Sequence, residues 1–254
     1  MIVNAVVEEK RAWWSQAVMI GGLAAIVLPL IGALGTRFDI LNFQIGLLLW
    51  AVGCLIALIS VVAGVIAAIV VLSRGRVADR APVFFGTAIA ALMVVFLGAQ
   101  FVAGRNVPPM HDVSTDMDDP PAFDDVVVKQ RSSPGINTLD YDAAKLPPMQ
   151  KGAYPQVAPL ELSAQPDAVF DAVTAALPGL GLAVVQADRN AMIVEAVATS
   201  FWFGFKDDVV VRIRPTDTGS RIDVRSVSRV GIGDVGVNAK RIMKILDAIK
   251  VQAA

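Results

Sequence analysis

Residues that could do acid–base or metal chemistry concentrate in one stretch of the chain, residues 106–125. The only histidine, His111, is followed there by Asp112, Asp116 and four further aspartates. An imidazole beside carboxylates can act as a general acid–base pair, so His111 and Asp112 are candidate catalytic residues. Asp112 and Asp116 are weak candidates for a cation site, because the glycine and late glutamate of an EF-hand-like loop are missing. The alternative is that these aspartates only hydrogen-bond the backbone of turns.

A second pair of candidate catalytic carboxylates, Asp207 and Asp208, lies in the stretch FWFGFKDDVVVRIRP. Adjacent residues of a strand point to opposite faces, so these two side chains would not meet. We expect them to pair with Lys206 or with arginines of the next strand. The sequence contains no nucleophile elbow, phosphate-binding loop or metal-ligand spacing. Binding is therefore favoured over catalysis, and no cofactor is expected.

Alternation of apolar and charged residues predicts a hairpin of two strands, around residues 209–214 and 221–225. The apolar side chains would form a core on one face. The arginines of the other face either form cross-strand ion pairs or bind an anion or an acidic partner. They are Arg212, Arg214, Arg221, Arg225 and Arg229, with Asp223 among them.

The candidate binding residues are those near the end of this hairpin that folding needs do not explain. Asp234 is a good N-cap for a last helix, and a cap already filled argues against an anion bound at that helix start. The aromatic residues before the hairpin either fill the core or dip into a bilayer interface. The set comprises Arg225, Ser226, Ser228, Arg229, Asp234 and Asn238, with Phe201, Trp202 and Phe203 beside them.

Three apolar runs precede these motifs, at about residues 12–36, 43–72 and 82–103, and the mean hydropathy of the chain is +0.61. A helix of about 20 apolar residues crosses a bilayer, so each run suffices. A cleaved signal peptide is the alternative for the first run, which is longer than the usual apolar core of such a peptide. No ionisable residue lies deep within any run, which argues against an ion pathway and indicates an anchor.

The loop between the second and third runs carries Arg74, Arg76 and Arg80, whereas the first loop has Arg37 with Asp39. Positive loops stay in the cytoplasm, which predicts a cytoplasmic amino terminus and a periplasmic C-terminal domain on a bacterial inner membrane. A net charge of −1 without a basic block gives no indication of nucleic-acid binding.

The predicted architecture is an α-helical membrane anchor of three spans followed by an α+β two-layer domain. The anchor takes residues 1–104, a Pro/Asp-rich extended segment takes 105–158, and the domain takes 159–254. Pro166 opens a helix, strands follow at about 182–187 and 191–199, and the hairpin and the last helix complete the order. This gives a four-stranded antiparallel sheet with two helices on one face.

Three stretches, HDVSTDMDDPPAF, FWFGFKDDVVVRIRP and RSVSRVGIGDVGVNAKRI, resemble the bacterial domain-of-unknown-function family number 1499. The resemblance covers about residues 106–250. The family carries no established activity, so it implies no catalytic residues. It does imply that residues 111–123 belong to the folded domain, packed on it, and that the motifs meet in one site.

Together these observations predict a binding or interaction module at a membrane surface, with the lipid bilayer, a lipid or an envelope protein as its partner. Two alternatives stay open. One is an envelope hydrolase or isomerase that uses His111 with aspartates, and the other is an accessory subunit of a membrane complex.

Overall fold

The computed structural model describes residues 9–131 and 135–253. The first eight residues of the predicted anchor, residues 132–134 of the Pro/Asp-rich segment and residue 254 lie outside the described part. The chain forms two compact units: a membrane unit up to Arg105, and a sheet unit that comprises Asn106–Phe201 and resumes at Phe205.

Within its described residues, the membrane unit contains three helices that are long and apolar enough to cross a membrane, as the apolar runs predict. A single 3-10 turn, Val77–Asp79, directly precedes the third helix. The helices are α1 Trp13–Arg37, α2 Phe43–Ser73 and α3 Arg80–Gly104.

Glycine and a buried carboxylate fix the contact between α1 and α3. A Cβ atom on Gly22 would lie 2.2 Å from the carbonyl oxygen of Gly86, so only glycine allows the two backbones to approach this closely. At the start of both helices, Asp79 accepts hydrogen bonds from the Ala12 amide at 2.8 Å and from the Ser15 hydroxyl at 2.6 Å. The bond from the Ala12 amide satisfies a backbone donor that the helix itself leaves unpaired.

The described residues of the sheet unit form six antiparallel strands in the order β1-β6-β5-β4-β3, with β2 pairing β6 beside β1. The prediction of four strands was wrong, because β1 and β2 are three residues long and show no alternation that a sequence could reveal. The strands are β1 Asp112–Ser114, β2 Leu160–Leu162, β3 Ala183–Asp188, β4 Ile193–Thr199, β5 Lys206–Thr216 and β6 Gly219–Ser228.

Helices α6 and α7 pack on one face of this sheet, as predicted. Pro166 opens α6, and α7 begins at Val237, three residues after the predicted cap. Their apolar stripes, which include Leu177 and Ile245, bury against alternate strand residues. Two short helices before them were not predicted, so the unit has four helices in its described residues. They are α4 Asp125–Gln130, α5 Leu146–Ala153, α6 Pro166–Gly179 and α7 Val237–Gln252.

The opposite face of the sheet, which we call the polar face, carries the predicted arginines but is covered. The segment between β1 and α5 lies on it: Val127 of α4 is fully buried. The Asp124 amide donates to Glu195 of β4 at 2.6 Å, and Arg212 of β5 donates to the carbonyl of Asp119 at 2.7 Å. The arginines form ion pairs there, which was one of the two predicted alternatives, with Asp223 across the strands and with aspartates of this segment. The Pro/Asp-rich segment supplies the cover, since its aspartates complement the arginines.

Candidate functional site

Asp116 and Asp223 neutralise the outer arginines of the polar face. Arg214 donates to Asp116 at 2.7 Å and to Asp223 at 2.6 Å, and Arg221 bonds the same two carboxylates at 3.0 and 3.1 Å. Burial acts to raise the pKa of Asp116, but hydrogen bonds from the Asp119 amide and Arg214 outweigh it and lower that pKa. The guanidinium groups around Asp116 neutralise its carboxylate and repel other cations, so this position is unsuited to a metal ion.

Asp112 forms a buried bidentate ion pair with Arg225 on the same face. The two bonds measure 3.0 and 2.7 Å, and Arg225 also donates to the carbonyls of Pro121 and Leu139. Its guanidinium lies 5.3 Å from the ring centroid of Tyr141. This pair fastens the segment to β6, because the strand pairing of β1 places Ser114 opposite Arg225 and Asp112 two residues before it.

Asp208 is a third aspartate that pairs with arginines on the polar face, and it is fully buried. It accepts from Arg131 at 2.6 Å and from Arg229 at 2.7 and 3.0 Å. Arg131 also donates a hydrogen bond to the carbonyl of Val227 at 2.7 Å. The neighbouring Asp207 points to the opposite face, as alternation predicts, and pairs there with Arg241 of α7 at 2.6 Å. The expected partner Lys206 makes neither of these pairs.

Three candidate binding residues meet on the helix face in a buried hydrogen-bond network. Asn238 accepts from the Ser226 hydroxyl at 2.7 Å and donates to the Ser228 hydroxyl at 2.9 Å. Asp234 holds the start of α7, because it accepts from the Gly236 and Asn238 amides at 2.8 and 2.5 Å. Burial raises the pKa of Asp234 despite these bonds. The network fixes α7 on β6.

His111 joins this network through its backbone. Its carbonyl accepts from the Ser228 amide at 2.8 Å and from the Asn238 side chain at 3.0 Å. The imidazole forms no hydrogen bond or ion pair within the described residues. The fold brings the motifs around His111 and Ser228 together, but it sends Asp112 and Asp208 to the polar face and Asp207 to the helix face.

Glu195 is a buried group that the sequence reasoning missed. Its side chain is fully buried on the polar face, where Oε1 accepts from the Asp124 amide and Oε2 has no partner in the described structure. Burial raises the pKa of Glu195 to about 7, and the nearby carboxylates of Asp124 and Asp208 add to that effect. A lone glutamate within the apolar strand IVEAVAT was the available signal.

A cleft of about 380 Å³, which we call the basic cleft, opens where α7 meets the start of β3 and the end of β4. Lys240 and Lys244 are exposed and form no ion pair among the described residues, whereas Arg241 is engaged by Asp207. Apolar side chains such as Leu180 and Val237 complete the wall. The lining residues are Leu180, Gly181, Leu182, Ala198, Thr199, Val237, Lys240, Arg241 and Lys244.

Exposed apolar side chains also lie in the loop that follows β4 and in the loop that precedes α7. In the loop after β4, Phe201 is 72% and Trp202 55% exposed, while Phe203 is half-buried. Ile232, in the loop before α7, is 84% exposed. Within residues 9–131 and 135–253, no cluster of three or more histidine, cysteine or acidic side chains could hold a metal ion.

No curated protein matches the chain. The family model described as "Protein of unknown function (DUF1499)" matches residues 112–249, which is more than half of the chain. The matched range begins with β1 and ends within α7, so it includes the cover of the polar face and the helix-face network. The chain therefore belongs to the DUF1499 family.

Proposed function

We propose that the sheet unit is a binding module at a membrane surface and that its basic cleft receives an anionic group, that of a lipid or of an envelope partner. The observation that carries this proposal is a pair of lysines, Lys240 and Lys244, that line a cleft with apolar walls and form no ion pair in the described part of the chain. A cleft with a cationic rim and an apolar wall complements an amphiphile with an anionic head.

The contrast with the polar face supports this choice of site. The arginines there form ion pairs that neutralise their charge within the fold; the partners are Asp112, Asp116, Asp208 and Asp223. A ligand would have to break buried ion pairs to reach them, which costs several kcal/mol for each pair by the usual order of magnitude. Binding at the basic cleft carries no such cost.

Apolar side chains in the loops at one end of the sheet support a position near a membrane. β1 enters the sheet at the end where β4 and β6 finish and where the loops with Trp202 and Ile232 begin. Exposed aromatic and aliphatic side chains at such an end suit a bilayer interface.

For the orientation, we propose a bacterial inner membrane with the sheet unit in the periplasm. The supporting observation is the cluster of Arg74, Arg76 and Arg80 at one end of the three helices. Reporter fusions to the carboxyl terminus test it: a periplasmic reporter should be active and a cytoplasmic reporter inactive. The reverse pattern would overturn the assignment.

Hydrogen exchange of the intact protein tests the binding function. In nanodiscs that contain phosphatidylglycerol, we expect the amides around residues 237–244 to exchange about tenfold more slowly than in phosphatidylcholine alone, because a charge-assisted contact is worth about 1.4 kcal/mol or more. Lys240→Gln with Lys244→Gln should abolish the difference. Lys250→Gln, in the last turn of the same helix and outside the cleft, is the matched control. Equal exchange in both lipids would speak against lipid as the ligand.

No observation favours the alternative of an envelope hydrolase or isomerase. The carboxylates of Asp112, Asp207 and Asp208 are each occupied by a guanidinium group. A general base needs a free carboxylate within reach of its substrate. His111→Ala is accordingly expected to leave the lipid-dependent difference in hydrogen exchange unchanged. Loss of that difference at an unchanged melting temperature would instead support a catalytic role for His111.

A further inference from the structure

The membrane unit carries a lateral groove of its own, about 740 Å³ in volume, between α1 and α2. No residue of α3 lines it. Its volume falls within the range of about 300–1,000 Å³ that small-molecule sites occupy. The lining residues are Trp13, Trp14, Ala17, Val18, Gly21, Ile56, Ile59, Ser60, Ala63, Ile66, Ala67, Val70 and Arg74.

The polar groups of this groove are ordered along its length. Trp13, Trp14 and Arg74 lie at one end, where α1 begins and α2 ends, and small or aliphatic side chains form the rest. Arg74 forms no ion pair among the described residues. The neighbouring Arg76, in contrast, is paired with Asp79 at 2.5 Å and lies 6.0 Å from the ring centroid of Trp14. Among the described residues, Arg74 is therefore the one cation that lines the groove, and it has no counter-charge.

We propose that this groove is a binding site for an anionic phospholipid, with the phosphate at Arg74 and one acyl chain along α1 and α2. A basic residue and indole rings at the level of the headgroups, followed by an apolar trough, match the order of groups in such a lipid. From Arg74 to Ser60 the helix rises by about 21 Å. That length exceeds the roughly 15 Å thickness of one hydrocarbon leaflet, so an extended chain is accommodated.

A transmembrane helix of a partner protein is the competing occupant, and Ser60 separates the two. This residue is only 6% exposed, lines the groove, and its hydroxyl forms no hydrogen bond within the described residues. A partner helix would use a hydroxyl at this depth as a hydrogen-bond donor. An acyl chain offers no acceptor there, so a lipid gains nothing from Ser60.

Native mass spectrometry of the intact protein, released from detergent with added phosphatidylglycerol, measures the retention of this lipid. Arg74→Gln should raise the apparent dissociation constant of this lipid about tenfold, by the loss of one charge-assisted contact, and should lower its retention accordingly. Arg80→Gln is the matched control, because it removes the same charge from the same end of the helices without lining the groove. Equal retention by both variants would overturn the proposal.

Two further substitutions complete the test. Ala63→Phe fills the groove and should abolish retention, whereas Ala88→Phe on the exposed side of α3 should not. Ser60→Ala should leave retention unchanged; a copurifying protein that Ser60→Ala releases would instead identify a partner helix and refute the lipid. The variant with Lys240→Gln and Lys244→Gln should retain the lipid fully, so failure of this proposal and failure of the basic cleft remain distinguishable.

Discussion

Replacing Glu195 by glutamine is expected to stabilise the sheet unit above pH 7 and to leave it unchanged below pH 4. The carboxyl is fully buried on the polar face and has a single hydrogen bond among the described residues, from the Asp124 amide. Burial penalises its ionised form, which is why the pKa rises from 4.5 to about 7. Glutamine has the same shape as the protonated side chain and cannot ionise.

The sign and size of the effect follow from proton linkage. Below pH 4.5 the folded and unfolded chains both hold the proton, so the full stability is present. Between pH 4.5 and 7 only the unfolded chain releases it, and the free energy of unfolding falls by about 1.4 kcal/mol per pH unit. Above the folded pKa of about 7 the loss is complete, at roughly 3 kcal/mol. The substitution should restore this amount.

Hydrogen exchange of the β4 amides, corrected for the intrinsic rate at each pH, measures the local free energy of opening. Wild type should lose protection between pH 4.5 and 7, and the Glu195→Gln variant should not. Glu161→Gln on β2 is the control, because Glu161 is an exposed carboxyl of the same sheet. A variant whose opening energy stays parallel to that of wild type across the pH range would refute the account of Glu195.

Three other substitutions probe contacts described above. Asp112→Asn leaves the buried Arg225 without its counter-charge and should lower the free energy of unfolding by about 3–5 kcal/mol in urea titrations, more than a double replacement by apolar residues of similar volume. Asn238→Ala leaves the groups that hydrogen-bond Asn238 without a partner and should lower the free energy of unfolding by about 2–3 kcal/mol in the same measurement. Gly22→Ala should lower the melting temperature in detergent, because the new Cβ atom would lie 2.2 Å from the carbonyl oxygen of Gly86. Gly98→Ala should not lower it, because a Cβ atom there would have no neighbour within 4 Å.

Patterns among residues close in the sequence predicted much of the fold. The apolar runs predicted the three long helices, and the alternation in residues 209–225 assigned each hairpin side chain to its correct face. The same period predicted that Asp207 and Asp208 point to opposite faces, as the structure shows. These predictions succeeded because each depends on residues that are neighbours in the chain.

The cover of the polar face could not be predicted in this way. Asp112 and Arg225 are 113 residues apart, and no periodicity relates them. The aspartates and the arginines were each visible as a set, but their pairing depends on how β1 adds to β6. The resemblance to a family supplied the missing link, since it joined the two motifs within one domain. Glu195 could not be predicted as a buried group, because one polar residue in an apolar strand does not show whether its side chain is buried or exposed.

The position of β6 has a consequence for how the domain is made. This strand pairs with β5 on one side and with both β1 and β2 on the other, yet it leaves the ribosome last of the six. Contacts that close such long loops form slowly, and a protein dominated by them has a high contact order. Until residue 219 has emerged, β1 and β2 have no strand to join, and Asp112 and Asp116 have no arginine of β6 to pair with. The sheet unit should therefore fold in one late step, and chains that end before β6 should be substrates for proteolysis.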